Sequence, residues 1–157
     1  MSTSEFLNLF VVILFFVLSI KLITIDLKIK RLPNVIVLPA TIFVLTINLV
    51  NSWIQEDINS IKGRIVLPLL VTAGFFIISI FYPQGLGMGD IKVILFIGVT
   101  LIPFEASLYV ISLCVSFVSG ALYALFIITR TRESKEFAFG PFLLIPAMAI
   151  LAIATLS

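Results

Sequence analysis

The 157-residue chain has no histidine, one cysteine, and only 11% charged residues. Without histidine, a Ser-His-Asp triad, a Cys-His pair and His-ligated zinc are all excluded. Cys114 can form neither an intrachain disulfide nor a paired-cysteine metal site. It lies inside an apolar run and reads as a small core residue. Hydrolytic chemistry is thereby left to carboxylates, lysines and hydroxyls. The apolar runs also lack the alternation that a membrane β-barrel requires.

What is present is hydrophobic sequence in long, nearly uncharged runs. The chain is 61% hydrophobic, with a mean hydropathy of +1.28. A soluble domain of this size could not tolerate so much apolar surface. Backbone groups find no hydrogen-bond partners in lipid, so the runs must be helices. The expectation is an all-α integral membrane protein, one domain over residues 1–157, folded as a polytopic bundle of about six transmembrane helices. The spans run roughly Glu5–Ile25, Pro33–Trp53, Ile65–Tyr82, Ile91–Pro103, Ala106–Thr129 and Pro141–Leu156. The fourth and sixth are short for a bilayer crossing. The first carries no positive charge before it, is too long for a signal peptide, and reads as a retained span.

Charge sets the orientation. With alternating spans, Lys21, Lys28, Lys30, Arg31, Lys92, Arg130, Arg132 and Lys135 collect on one side, against Lys62 and Arg64 on the other. Eight against two puts the first side in the cytoplasm and the N-terminus outside. Asp26 and Asp90 both fall on the cytoplasmic face.

Those two aspartates stand where apolar runs meet positive charge. Asp26 precedes Leu-Lys-Ile-Lys-Arg-Leu-Pro-Asn34, and Asp90 ends Gly85-Leu-Gly-Met-Gly-Asp90. Two carboxylates close enough to share a proton can work as a water-activating base and a proton donor. They would titrate as a coupled pair. They are 64 positions apart (90 − 26), so only the fold can join them. Plainer readings also fit: Asp90 as the cap of the fourth span, Asp26 as an interfacial partner of nearby lysines. The glycines beside Asp90 permit positive φ and a close backbone approach.

Gly87-Met-Gly-Asp90 followed by Lys92 resembles the GxGDxK signature of type IV prepilin peptidases and their archaeal preflagellin relatives. Asp26 with its basic stretch and Pro33-Asn34 resembles that family's other aspartate segment, and Phe137-Ala-Phe-Gly-Pro-Phe142 its phenylalanine-glycine-proline segment. The three motifs stand in family order and cover almost the whole chain. The resemblance implies a membrane aspartyl endopeptidase with Asp26 and Asp90 as catalytic residues and Gly87, Gly89, Lys92, Gly140 and Pro141 binding substrate or shaping the site. It implies prepilin-like substrates, in which a short basic leader ending in glycine precedes an apolar helix. The implied setting is the cell membrane, multi-pass, with the lipid bilayer as surroundings and no nucleic-acid partner. No CxxC is present and the loop after Asp26 is short, so the chain looks like the peptidase-only form, without zinc, cofactor or methylation.

Among the remaining charged residues, Lys92 is expected to steady a carboxylate or bind a substrate carbonyl, or to snorkel at the interface. Glu133 and Glu136 have the sign to receive a basic leader. The alternatives are a non-enzymatic small transporter or assembly factor whose aspartates bind ions or protons, and a presenilin-like protease with other substrates.

Overall fold

The computed structural model describes the chain except for residues 1, 31, 57, 83–86, 132–137 and 157, and the side chains of 58–62 and 131 also lie outside the description. Gly85, Arg31, Arg132, Glu133, Lys135, Glu136 and Phe137 are therefore outside the described residues.

Among the described residues six helices follow one another: α1 (Thr3–Ile29), α2 (Asn34–Ile54), α3 (Ile58–Phe81), α4 (Met88–Thr100), α5 (Ala106–Thr131) and α6 (Gly140–Leu156). The expected all-α bundle is what forms. Helices α1, α2, α3 and α5 are long and apolar enough to cross a membrane, and the chain is a membrane protein.

Local sequence explains where α1 begins and ends. Ser2 accepts the Glu5 N–H at 3.2 Å while its own N–H donates to the Glu5 carboxylate at 2.8 Å, a reciprocal cap that satisfies two orphan donors. At the far end Lys30 adopts φ 54° and closes the helix, its N–H donating to the Asp26 carbonyl at 2.7 Å. A single left-handed residue is a common way to stop a helix.

The short α4 is the centre of the bundle. At 13 residues it is about 20 Å long, short of a hydrocarbon core of about 30 Å. Eight of its residues are buried, from Ile91 to Thr100, and it packs mainly against α2 and α3, with α6 behind. Phe96 meets Phe15 of α1 with ring centroids 5.3 Å apart. Asn48 of α2 donates its side-chain amide to the Val99 carbonyl at 2.8 Å, and the Tyr109 hydroxyl of α5 donates to the Ile94 carbonyl at 3.3 Å. α4 is enclosed by other helices, which explains how so short an element can lie at membrane depth.

Three sequence expectations need correcting. Asp26 and Asp90 do not lie between helices: α1 runs on to Ile29 and α4 starts at Met88, so each aspartate belongs to a terminal helical turn. Hydropathy marks the apolar stretch, and capping extends the helix past it. Second, α3 begins at Ile58, so much of the expected loop up to Arg64 is helical. Third, Cys114 is exposed. An apolar residue in a bundle can face lipid as readily as core, and a hydrophobic run does not say which.

Candidate active site

The ends of α1, α4 and α6 meet at one end of the bundle. Asp26, in the last turn of α1, is 3% exposed. Its Oδ2 accepts the N–H of Gly140 at 2.8 Å, across 114 positions of sequence. Helix α6 explains why that amide is available. Phe142 and Leu143 both donate to the Phe139 carbonyl, at 3.0 and 3.3 Å, and Pro141 has no N–H to give. The first amide of α6 is thus left to Asp26. A carboxylate at a helix N-terminus is favoured by the unpaired amides and by the helix dipole.

Only glycine fits at position 140. A Cβ there would stand 2.6 Å from the Asp26 Oδ2 and 3.1 Å from its Cγ. Gly140 and Pro141 are both buried.

Asp90 is the third residue of α4, and Gly87, not Asp90, is the N-cap. The Asp90 amide donates to the Gly87 carbonyl at 3.0 Å, and the Gly87 backbone in turn hydrogen-bonds the Asp90 carboxyl. That is the third-residue half of a capping box. Burial foremost, then the negative charge of Asp26, push the Asp90 carboxyl up to about 6, with the Gly87 hydrogen bond opposing. The two aspartates are thus near enough for the charge on one to hold the proton on the other.

The described glycines use no positive φ; Gly87 is extended at φ −69°, ψ 143°. Their contribution is close approach. A Cβ on Gly87 would lie 3.0 Å from the Asp90 Oδ2, and one on Gly89 would lie 3.0 Å from the Leu32 Cβ. The space beside Asp90 is filled by its own carboxyl and by the α1–α2 connection.

Lys92 reaches neither carboxylate through a hydrogen bond. Its ammonium donates to the Asn34 Oδ1 at 2.7 Å, tying the start of α2 to the start of α4. Asn34 was visible in the sequence as half of a Pro-Asn pair, but the sequence carried no sign of its partner. Together, Gly89 against Leu32 and Lys92 on Asn34 strap the segment that follows Asp26 to the turn that carries Asp90.

A profile of the type IV leader peptidase family matches residues 12–128. That stretch contains Asp26, Asn34, Gly87, Gly89, Asp90 and Lys92. No curated protein and no solved structure matches the chain. With its match over most of the sequence, the chain belongs to the type IV leader peptidase family and is a membrane-embedded peptidase.

Proposed function

We propose that this protein is an aspartyl endopeptidase that removes the basic leader from type IV prepilin-like proteins at the cytoplasmic face of the cell membrane. The observation that supports this reading is the approach of the buried Asp26 and the half-buried Asp90 at one end of the bundle, with the charge of Asp26 acting on Asp90. The rest of the chain offers no histidine and one exposed cysteine, so the pair is the natural means of hydrolysis.

The surroundings divide the roles. Asp26, at the α6 N-terminus with the Gly140 amide on its Oδ2, is the anion that takes a proton from water as the water attacks the scissile carbonyl. Asp90, whose carboxyl holds its proton up to about pH 6, donates to the carbonyl oxygen. The gem-diol intermediate then collapses: one hydroxyl returns its proton to Asp90 as the carbonyl re-forms, the C–N bond breaks, and the amine leaves with the proton that Asp26 took. Lys92 and Asn34 hold the two carrying segments in register. Gly87 and Gly89 let those segments close up, and Gly140 with Pro141 presents the amide.

The excess of basic residues in the sequence segments around both aspartates supports a cytoplasmic setting by the positive-inside rule. A leader-to-helix junction would lie there at headgroup level, beside both carboxylates.

Asp26→Asn and Asp90→Asn, each purified in detergent and given a peptide with a basic leader, a glycine and an apolar helix, are expected to lose cleavage by at least ~10³-fold. Cleavage by either variant near the wild-type rate would remove the dyad.

A further inference from the structure

Gly120 lies in α5, outside the segments that carry the two aspartates. It is buried, and a Cβ placed on it would overlap Cε2 of the Phe139 ring and stand 3.2 and 3.3 Å from Cδ2 and Cζ. The ring therefore rests on bare backbone. Phe117 flanks it with centroids 5.6 Å apart and is itself stacked on Phe75 of α3 at 5.0 Å. Phe142 lies on it at 6.4 Å. The ring is half-buried and flanked by two aromatic neighbours, so a new methyl group would press it away from α5 and load the backbone that carries it.

That backbone is where α6 begins. The Phe139 carbonyl accepts two amides of the first helical turn, from Phe142 and Leu143, and the next residue is Gly140, whose N–H is on Asp26. A displacement of Phe139 passes through one peptide unit to that hydrogen bond. There is little slack, because a Cβ at 140 would already be 2.6 Å from the acceptor oxygen, and hydrogen bonds weaken steeply as distance and angle degrade.

We propose that Gly120 is a positioning residue for Asp26: by admitting the Phe139 ring against α5 it seats the Gly140 amide on the carboxylate. The proposal rests on Asp26 being a catalytic carboxylate. Gly120 acts through Phe139, whose ring a Cβ at position 120 would meet. On ordinary helix propensity an alanine at position 120 would strengthen α5, so a loss of activity there opposes the local helical preference.

The test uses the full chain in detergent and the leader-glycine-helix peptide described above. Gly120→Ala is expected to lower kcat roughly 10- to 100-fold with KM within about twofold, since misplacement distant from the chemistry costs about that much. The decisive comparison is Phe139→Leu with and without Gly120→Ala. Once the ring edge is gone the alanine has nothing to strike, so the double variant should match Phe139→Leu to within about threefold. Wild-type kcat in Gly120→Ala overturns the proposal, as does an undiminished alanine effect in the Phe139→Leu chain. Should Gly120→Ala fail to fold, Phe139→Trp applies the same pressure from the other side, and an unchanged kcat there also overturns it. Asp26→Asn runs in parallel. If it still cleaves, the dyad itself is wrong; if it is dead while Gly120→Ala is fully active, only the role of Gly120 falls.

Discussion

Asp26 and Asp90 face different surroundings, and the difference has a consequence separate from catalysis. In the folded chain Asp90 keeps its proton to about pH 6, whereas an unfolded chain releases it near the ordinary value of about 3.9. Between those pH values the unfolded state gains by ionising and the folded state does not. Asp90 thus favours the fold below about pH 4, and that contribution disappears as pH rises to 6. Asp90→Asn removes the titration. Its thermal midpoint in detergent should exceed that of the wild type by a margin that grows from pH 4 to pH 6 and is constant above. A margin that shrinks over that range, or a variant less stable at pH 7.5, would contradict the desolvation of the half-buried Asp90.

At the scale of elements, α4 is the part on which the others depend. Phe96 is fully buried and packed on Phe15, so Phe96→Ala opens a cavity between α4 and α1 and should cost on the order of 3 kcal/mol. Reversible unfolding in mixed micelles measures it; a cost below about 1 kcal/mol would mean that α4 is not the packed centre. The six helices themselves could be read from hydropathy, because each is an apolar run and lipid leaves no other backbone conformation. Their ends could not. Lys28, Lys30 and Asp26 look like loop residues by composition, yet all but Lys30 are helical and Lys30 is the cap. The candidate site is legible to the same degree: Asp26, Asp90 and Gly140 stand out as motif residues, but the hydrogen bond joining Asp26 to Gly140 spans 114 positions and that from Lys92 to Asn34 spans 58. Contacts that long depend on how helices pack, which periodicity does not encode. For Gly120 no sequence signal exists at all, since its importance is the shape of a ring belonging to another segment.

At the scale of the whole molecule, large apolar side chains are exposed on every long helix, including Val17, Phe43, Leu70 and Leu122, and lipid is the medium that accommodates them. Cys114, the one cysteine, is on that surface. In intact membranes it should react with a lipid-soluble maleimide and resist a charged, membrane-impermeant thiol reagent, as mass spectrometry of the labelled chain would report. Prompt labelling by the charged reagent would place this part of α5 against water and overturn the outward-facing assignment.

The hydrogen bond from Gly140 to Asp26 also has a meaning in time. During synthesis Asp26 emerges with the first helix and Asp90 with the fourth, but the amide that orients Asp26 belongs to the sixth, and α4 is too short to hold its place in a bilayer without its neighbours. A ribosome-bound chain that has delivered five helices therefore owns both carboxylates and not the arrangement that makes them a pair. Under the proposed dyad, proteolytic competence is therefore a late event of assembly, set by the order in which the segments are made.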